Sequence, residues 1–503
     1  MANSLKKLAG QTAIYGLSSI IGRFLNYMLV PLYTYKIAAA SGGYGIVTNI
    51  YAYTALLLVL LTFGMETTFF YYANREDVDP RKAFSTAGNA VGLVALVFWL
   101  ICMVFGNGIA NLLHYEDHPE YIRVMATVVS FDAFQAILFA RLRNENRALK
   151  FVTLKLSFIV SNILLNLFIF LVAPALQQSH PSLMSWYDPN YQVGYVFIVN
   201  LLCTSGVMLG FIPEIKGLRF GIDRALLKDM LRYTWPLLLL GLIGILNQVA
   251  DKICYKFIVP GQEGEVQLGI YGACVKIAMI IAIFTQAFRY AYEPFVFGGQ
   301  KEKNSKEMQA DVMKYYVIFT LMAFLIVVLY MDIFKFIIKE DYWEGLRTVP
   351  IVMMAEIFMG IYFNLSFWYK LTDQTYWGAI ISAIGCAVLL AINFLLGPKI
   401  GYMACAWGGF AGYGICMVLS YLIGRKKNPV PYKLMPILGY FALAVGIFLA
   451  SKYMREFLYP ESTVIAIIVN TLLLLVYIAV VIYNERTLVK GVVSGVKRKI
   501  LKR

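Results

Sequence analysis

Apolar stretches of about 20 residues follow one another along this chain of 503 residues, separated by short polar loops. A helix of about 20 apolar residues crosses the hydrocarbon core of a bilayer. The stretches lie near residues 11–37, 44–73, 83–105, 119–142, 151–175, 191–213, 233–258, 267–297, 312–338, 347–371, 376–396, 400–424, 434–450 and 461–483. This pattern predicts an all-α integral membrane protein with about 14 transmembrane helices, and it excludes a string of soluble domains.

The charged residues support this assignment and predict its orientation. Only 15% of the residues are charged, against about 25% in a typical soluble protein. Of the 44 Lys and Arg residues, 30 lie at the two termini and in alternate loops, whereas the other loops hold 4. Because cationic loops stay in the cytoplasm, we expect both termini there. The same loops account for the net charge of +15, so no nucleic-acid partner is expected.

Cysteine and histidine give no sign of a metal site or of a disulfide framework. The 7 cysteines all fall inside apolar stretches, and the 3 histidines lie far apart in loops. The sequence has no Gly-x-x-x-x-Gly-Lys-Ser/Thr pattern for ATP, and its predicted outer loops carry only short acidic tips. We therefore expect neither an enzyme nor a cofactor. Coupling to H⁺, to Na⁺ or to the membrane potential stays open.

A weak internal repeat suggests how the chain is organised. Gly45-Ile46 in the second span and Gly269-Ile270 in the eighth lie 224 residues apart. With six spans in each copy, both copies begin on the cytoplasmic side. The predicted parts are a six-helix bundle at 1–213, a cytoplasmic linker at 214–232, a second six-helix bundle at 233–424, two additional transmembrane helices at 425–483 and a basic amphipathic tail at 484–503.

Cationic side chains inside a predicted span are costly in lipid and therefore mark a polar interior. Arg23 and Lys276 lie near mid-depth with no opposite charge within four residues, so they pair either with other helices or with an anionic ligand. Arg289 has Glu293 four residues on, so a local ion pair near the cytoplasmic end is favoured over a ligand there. Arginine suits a diphosphate because its planar fork binds two oxygens. The candidate ligand-binding residues are Arg23, Lys252, Lys276 and Arg289.

Interior carboxylates have two interpretations. In the structural one, Glu66 and Asp132 pair with the interior cations. In the functional one, a buried carboxylate binds a proton near neutral pH and couples ion flow to transport. The candidate ion-coupling residues are Glu66, Asp132, Asp251 and Glu356.

Proline occurs in the first span of each predicted half, at Pro31 and at Pro236. Proline removes an internal hydrogen bond and bends a helix. Both positions are candidate hinges, and simple packing kinks are the alternative.

Two sets of motifs resemble a known family. The first comprises residues 5–12, 19–23, 29–33 and 43–45, and the second comprises residues 247–252, 269–271, 286–289 and 293–294. Both resemble O-antigen type polysaccharide-biosynthesis flippases of the multidrug/oligosaccharidyl-lipid/polysaccharide exporter superfamily. The resemblance covers about residues 1–300 and implies two six-helix bundles that face each other across a central cavity, plus two C-terminal helices. It also implies that Arg23 matches the family's first-helix arginine, which lies in that cavity and meets a diphosphate.

The activity implied by this resemblance is alternating-access flipping of a polyprenyl-diphosphate-linked oligosaccharide across the bacterial inner membrane, for lipopolysaccharide or other surface polysaccharide. The expected partners are this glycan lipid and membrane lipids, the protein is expected to be a monomer, and docking of glycan-assembly enzymes stays open. Three alternatives remain: a flippase for the peptidoglycan precursor lipid II, a drug/cation antiporter, and a membrane enzyme of the glycan pathway. The interior cations argue against the antiporter, and the short outer loops argue against the enzyme.

Overall fold

The computed structural model describes residues 27–298, 304–372, 374–457 and 462–486, and these form helices joined by loops. In chain order the helices are α1 (Leu29–Lys36), α2 (Gly43–Thr62), α3 (Met65–Ala73), α4 (Pro80–Leu112), α5 (Pro119–Asn144), α6 (Ala148–Leu167), α7 (Ala173–Ser179), α8 (Gln192–Gly210), α9 (Ile212–Lys216), α10 (Arg224–Ile258), α11 (Gly261–Gly298), α12 (Ser305–Leu329), α13 (Val349–Leu365), α14 (Phe367–Leu371), α15 (Tyr376–Ile400), α16 (Met403–Lys427), α17 (Leu434–Phe457) and α18 (Thr463–Asn484). A π-helical turn, Phe168–Val172, joins α6 to α7, and a 3₁₀ segment, Glu340–Thr348, leads into α13.

Within the described residues, thirteen helical segments are long and apolar enough to cross a membrane. Each corresponds to one of the fourteen predicted spans. The remaining span, predicted at 11–37, is described only from residue 27 onward, so Arg23 lies outside the described residues. The predicted amphipathic tail also lies outside them from residue 487 onward. We use "inner" for the side that the cationic loops predict to be cytoplasmic, and "outer" for the opposite side.

The second span is broken into α2 and α3 by two residues in the left-handed region. Phe63 has a φ of 35° and Gly64 a φ of 73°, and the left-handed conformation is unfavourable for a bulky residue such as Phe63. The Thr234 hydroxyl of α10 donates to the Phe63 carbonyl oxygen at 2.6 Å. This bond satisfies one of the carbonyl groups that the end of α2 leaves without a helical partner.

The helices after the linker pack on α2 as well as on one another. α2 contacts α10 and α11, α15 pairs with α16, and α13 packs against α16 and α11. The last two spans, α17 and α18, pack on α12 and are joined to it by polar bonds: Lys314 donates to Glu485 Oε2 at 2.6 Å, and the Tyr477 hydroxyl donates to the Ile318 carbonyl at 3.0 Å.

The short helix α9 is fixed to the N-terminal half by Glu214, whose side chain is only 1% exposed. Its Oε1 accepts from Arg147 at 2.6 Å, and its Oε2 accepts from Lys150 at 2.5 Å. Burial opposes ionisation of the carboxyl, but the Lys150 hydrogen bond and the charges of Lys150 and Arg147 outweigh it and lower the pKa of Glu214 below its usual range. The predicted domain boundaries on either side of this linker stay predictions.

Candidate functional site

The two halves of the chain meet at the outer ends of α2 and α11 through glycine. A side chain at Gly45 would overlap the Glu265 carbonyl oxygen, and a Cβ at Gly269 would lie 2.9 Å from the Gly45 backbone nitrogen. Thr48 packs against Gly272 in the same way. Both contacts join positions 224 residues apart, which is the spacing of the sequence repeat. If a two-fold axis relates the two halves, equivalent residues of the halves meet near that axis. The contacts of Gly45 with Gly269 and of Thr48 with Gly272 therefore agree with the sequence repeat.

Lys256, in the last turn of α10, makes a second contact between the halves and is only 3% exposed. Its ammonium donates to Glu265 Oε1 and to the His114 carbonyl, both at 2.7 Å. It also lies 3.4 Å from the centroid of the Tyr115 ring, a cation–π contact. Tyr115 in turn donates to Asn49 Oδ1 at 2.7 Å. The outer seal is the name we give to Gly45, Thr48, Asn49, His114, Tyr115, Lys256, Glu265, Gly269 and Gly272.

Asp251 and Lys252 lie directly inside the outer seal, about 10 Å from the outer end of α10. Lys252 Nζ is 3.0 Å from both carboxylate oxygens of Asp251, and the Tyr271 hydroxyl donates to Asp251 Oδ2 at 3.0 Å. Glu356 of α13 interacts electrostatically with Asp251 and Lys252. Its Oε2 is buried with no hydrogen-bond partner among the described residues. Two carboxylates and one ammonium therefore share this site.

Lys276 lies about 22 Å from the outer end of α11, near mid-depth as the sequence predicts. Residues four and seven apart share a helix face, so Lys276 follows Gly272 and Gly269 on the face turned toward the N-terminal half. Its side chain is half-buried, and among the described residues no carboxylate lies within ion-pair distance of it. Lys276 therefore lies one helical turn inside the outer seal, without a carboxylate partner among the described residues.

Arg289 lies at the inner end of α11 in a cluster with Glu293 and Lys370. Glu293 is 3.5 Å from Arg289 Nε and 3.7 Å from Lys370 Nζ. Both cations lie over the Phe363 ring, at 4.0 Å and 4.5 Å from its centroid. Arg289 is about 42 Å from the outer end of α11, which exceeds the ~30 Å hydrocarbon thickness. The cluster therefore carries one net positive charge at the inner mouth of the helix bundle, and the local ion pair with Glu293 is present.

Lys155 is an interior cation that the sequence analysis missed. It lies about 10 Å into α6 from its inner end, and its Nζ is 4.2 Å from the centroid of the Phe139 ring. Asp132 of α5 interacts electrostatically with Lys155. The sequence does show this lysine inside the predicted span 151–175, four residues before Ile159. A cation at such a position indicates a polar interior. Asp132 and Lys155 give the N-terminal half its own polar pair.

Glu66 lies at the inner end of the second span and not in the bilayer interior. It is about 35 Å from the outer end of α2, beyond the break at Phe63 and Gly64. Its carboxylate pairs with Arg143 of α5, whose guanidinium lies 4.9 Å from the centroid of the Phe70 ring. These contacts fit the structural interpretation of Glu66.

The second span, which consists of α2 and α3, contacts α10 near its outer end, at the helix break and near its inner end. Asn49 Nδ2 donates to the Lys252 carbonyl at 2.7 Å near the outer end, and the Phe63–Thr234 bond follows further in. At the inner end, the rings of Tyr71 and Tyr233 stack with their centroids 4.4 Å apart. These contacts hold the second span against α10 at three levels.

The other predicted positions have no ligand-like contacts. Pro31 lies in α1, and Pro236 lies inside the continuous helix α10, so their role as hinges stays a prediction. Among the described residues there is no group of three or more His, Cys, Asp or Glu side chains that could hold a metal ion.

The architecture is that of known membrane transporters. The chain is similar to the lipid II flippase MurJ in an inward closed conformation, with a TM-score of 0.68 and 15% identity over 93% of this chain and 98% of that chain. It is also similar to an inward-facing multidrug resistance MATE family transporter of the MOP superfamily (TM-score 0.59, 13% identity, 80% of this chain and 93% of that chain). A third similar structure is the MATE multidrug transporter DinF-BH (TM-score 0.60, 13% identity, 84% and 96%). At these identities the likeness establishes the fold, which is the predicted pair of six-helix bundles with two C-terminal helices.

The sequence places the chain in one family within this class. The polysaccharide biosynthesis protein family matches residues 8–291, which is more than half of the chain. The protein therefore belongs to this family of the exporter superfamily, and the resemblance seen in the sequence is confirmed. A comparison with curated protein sequences gives no match. The family and the similar structures are transporters and flippases and not enzymes.

Proposed function

We propose that this protein is an alternating-access flippase that moves a polyprenyl-diphosphate-linked oligosaccharide from the inner to the outer leaflet of the bacterial inner membrane. A diphosphate with attached sugars cannot cross hydrocarbon unaided, because burying unpaired charge and hydroxyl groups costs several kcal/mol or more for each group. A polar passage between the two halves removes most of that cost while the prenyl chain stays in lipid. Surface polysaccharide, with O-antigen as the leading candidate, is the proposed end product.

The single observation that carries this proposal is the position of Lys276. Its ammonium lies at mid-depth, faces the opposite half of the chain and has no carboxylate within ion-pair distance among the described residues. An ammonium inside the membrane without a counter-ion is unfavourable, so we infer that the site favours an anionic ligand. The Arg289 cluster adds a net positive charge at the inner mouth, whereas Lys252 and Lys155 lie beside carboxylates. Arg23 is proposed to contribute from the first span.

The outer seal supports an alternating-access cycle. With the halves packed together at Gly45 and Gly269, the site at Lys276 is cut off from the outer side. Because the second span and α10 are in contact, we propose that the prenyl chain leaves the interface on the side away from these two helices. We propose that the head group enters from the inner side in this conformation and leaves after the outer seal opens.

Ion coupling is proposed at the outer carboxylate pair. Asp251 and Glu356 lie on two different helices next to one ammonium, Lys252, so binding a proton or Na⁺ there would change how these helices attract each other. Asp132 remains a second candidate, whereas Glu66 is engaged by Arg143. Flipping that depends on Na⁺ or on a pH gradient, and that loses this dependence in Glu356→Gln, would support the assignment.

Two related functions are distinguished from this proposal by their substrates. A lipid II flippase is suggested by the fold shared with MurJ, and it would restore growth to cells depleted of their own lipid II flippase. A drug antiporter would change drug resistance on deletion, and its cationic substrates would be repelled by Lys276.

The direct test is deletion followed by identification of the lipid-linked glycan that accumulates in the inner leaflet. We expect a complete polyprenyl-diphosphate oligosaccharide to accumulate and surface glycan to disappear, with recovery when the wild-type chain is supplied. Cells that keep normal surface glycan and accumulate no lipid-linked intermediate would contradict the proposal. Single repeat units at the surface without long polymer would instead indicate an enzyme of polymerisation.

A further inference from the structure

The linker between the two halves exposes an aromatic side chain. Phe220 is 97% exposed, more than any other large apolar side chain among the described residues. It lies in the segment between α9 and α10, which we call the linker turn (residues 218–222). A single exposed ring is not evidence of a partner by itself, so its meaning depends on the depth of this turn in the membrane and on the charges around it.

The linker turn is held rigidly against α4. Asn89 Nδ2 donates to the Arg219 carbonyl at 2.8 Å and to the Gly221 carbonyl at 3.0 Å. The Arg219 backbone N–H donates to Ser85 Oγ at 3.1 Å. Gly221 has a φ of 127°, which a residue with a Cβ rarely adopts. The hydrogen-bonded backbone of the turn therefore holds the Phe220 side chain away from the rest of the protein.

The position of α4 in the bilayer gives the depth of this turn. The exposed apolar side chains of α4 begin at Leu93 and end at Leu112. At 1.5 Å per residue this band is about 28 Å long, which matches the ~30 Å hydrocarbon core. Asn89 lies one turn, about 6 Å, beyond the inner end of the band. The linker turn that it binds therefore lies at the level of the inner lipid head groups.

Two arginines accompany Phe220 at this level. Neither Arg219 nor Arg224 has a carboxylate within ion-pair distance among the described residues, although nearby Lys82 is paired with Asp223 at 2.5 Å. Beside them is an open cleft of about 560 Å³, lined by Asn89, Leu93, Gly221, Ile222, Arg224 and Leu227. An apolar floor with a cation at its rim matches the chemistry of a phospholipid, which has an acyl chain and a phosphate.

We propose that the linker turn and Arg224 form an anchor for an anionic phospholipid of the inner leaflet. The lipid phosphate lies between Arg219 and Arg224, and the Phe220 ring inserts at the boundary between head groups and acyl chains, where Phe, Trp and Leu side chains of interfacial segments are buried. The anchor fixes the linker to the bilayer surface while the two halves move. Because it binds ordinary membrane lipid, this inference does not depend on the substrate that is transported.

The first test locates the Phe220 ring. A photo-crosslinking aromatic amino acid, benzoylphenylalanine, is placed at Phe220 in the full-length protein, which is reconstituted in nanodiscs of phosphatidylcholine with phosphatidylglycerol. We expect phospholipid adducts by mass spectrometry after irradiation. The same substitution at Glu76, in an exposed loop on the inner side, should give none. The absence of lipid adducts at residue 220, or adducts with another protein in native membrane vesicles, would overturn the proposal.

The second test measures the charge preference. In native mass spectrometry, Arg219→Gln and Arg224→Gln should each reduce the retained phosphatidylglycerol about fivefold, since a surface cation contributes about 1 kcal/mol to binding an anionic membrane. Lys228→Gln, one turn further along α10 and outside the cleft, is the matched control and should change nothing. Equal retention in the arginine variants and the wild type would contradict an anionic lipid site.

Discussion

Replacing Lys256 by methionine should open the outer seal. Methionine keeps much of the apolar stem of lysine but removes the ammonium that contacts Glu265, His114 and Tyr115. Glu265 belongs to the same half of the chain as Lys256, so that ion pair is kept whether the halves are together or apart. Of the Lys256 contacts, only those to His114 and Tyr115 cross the interface, so only these add to the stability of the closed seal.

The magnitude follows from these two contacts. A hydrogen bond from a charged group contributes about 1.5–3 kcal/mol, and a desolvated cation–π contact contributes about 2 kcal/mol. Hydration of the Lys256 ammonium in the open state offsets part of this sum, which leaves about 2–3 kcal/mol. At 1.4 kcal/mol per factor of ten, the ratio of open to closed protein should rise about 30- to 150-fold. The unpaired Glu265 carboxylate left in the closed state shifts the ratio in the same direction.

The assay measures access to the seal from the outer side. Thr48→Cys places a thiol within the outer seal, and its reaction rate with a membrane-impermeant maleimide reports the open population in oriented membranes. The native cysteines are buried or half-buried, and the chain without Thr48→Cys gives their background. The rate should rise in Lys256→Met. The control is Lys335→Met, because Lys335 pairs with Asp332 within its own half, at 3.1 Å.

An unchanged labelling rate in Lys256→Met would refute this reasoning, because the Lys256 contacts would then not hold the halves together. A rise of the same size in Lys335→Met would also refute it, because the effect would be a general loss of stability.

Three further changes test other parts of the account. Arg23→Ala, if still expressed, should abolish surface glycan measured by gel electrophoresis, and Arg23→Lys should recover part of it; normal glycan in the alanine variant would exclude the proposed role of Arg23. Gly45→Val should prevent close packing on α11 and raise the labelling of Thr48→Cys from the outer side, and a rate equal to that of the parent would show that the seal does not depend on this contact. Glu214→Gln should lower the free energy of unfolding near pH 7 by about 2 kcal/mol. This loss is smaller than the 3–5 kcal/mol for breaking a fully buried ion pair, because Arg147 is half-exposed. Since the pKa of Glu214 is lowered on folding, its contribution is present above the ordinary carboxyl range and disappears as the pH falls below about 4; thermal unfolding from pH 3 to 7 should show this loss in the wild type and not in the glutamine variant.

The membrane spans could be read from the sequence because the bilayer imposes their length and polarity. Thirteen of them appear as helices within the described residues. The repeat was also visible, and its two glycines, Gly45 and Gly269, meet at the interface. A two-fold repeat brings equivalent positions near its axis together, and glycine is the residue that permits such close contact.

The roles of individual charges were less accessible. Lys256 lies near a helix end. A lysine at such a position can extend to the membrane surface or can join two halves of a protein. The sequence does not distinguish these two roles. The pairing of Glu66 with Arg143 could not be predicted, because the helix break at Phe63 and Gly64 has no clear signal in the sequence. The pairing of Lys314 with Glu485 joins residues 171 positions apart, and only the packing of the helices determines it.

The central claim is that cationic side chains at mid-depth between the two halves receive the phosphorylated head group, and Lys276 tests it most directly. The measurement is the flipping rate of a fluorescent polyprenyl-diphosphate disaccharide in proteoliposomes that contain the wild type, Lys276→Met or Lys276→Arg. Loss of one charged hydrogen bond of about 1.5–3 kcal/mol should slow Lys276→Met about 10- to 100-fold, and Lys276→Arg should keep most of the activity. Wild-type flipping by a folded Lys276→Met protein would contradict the account.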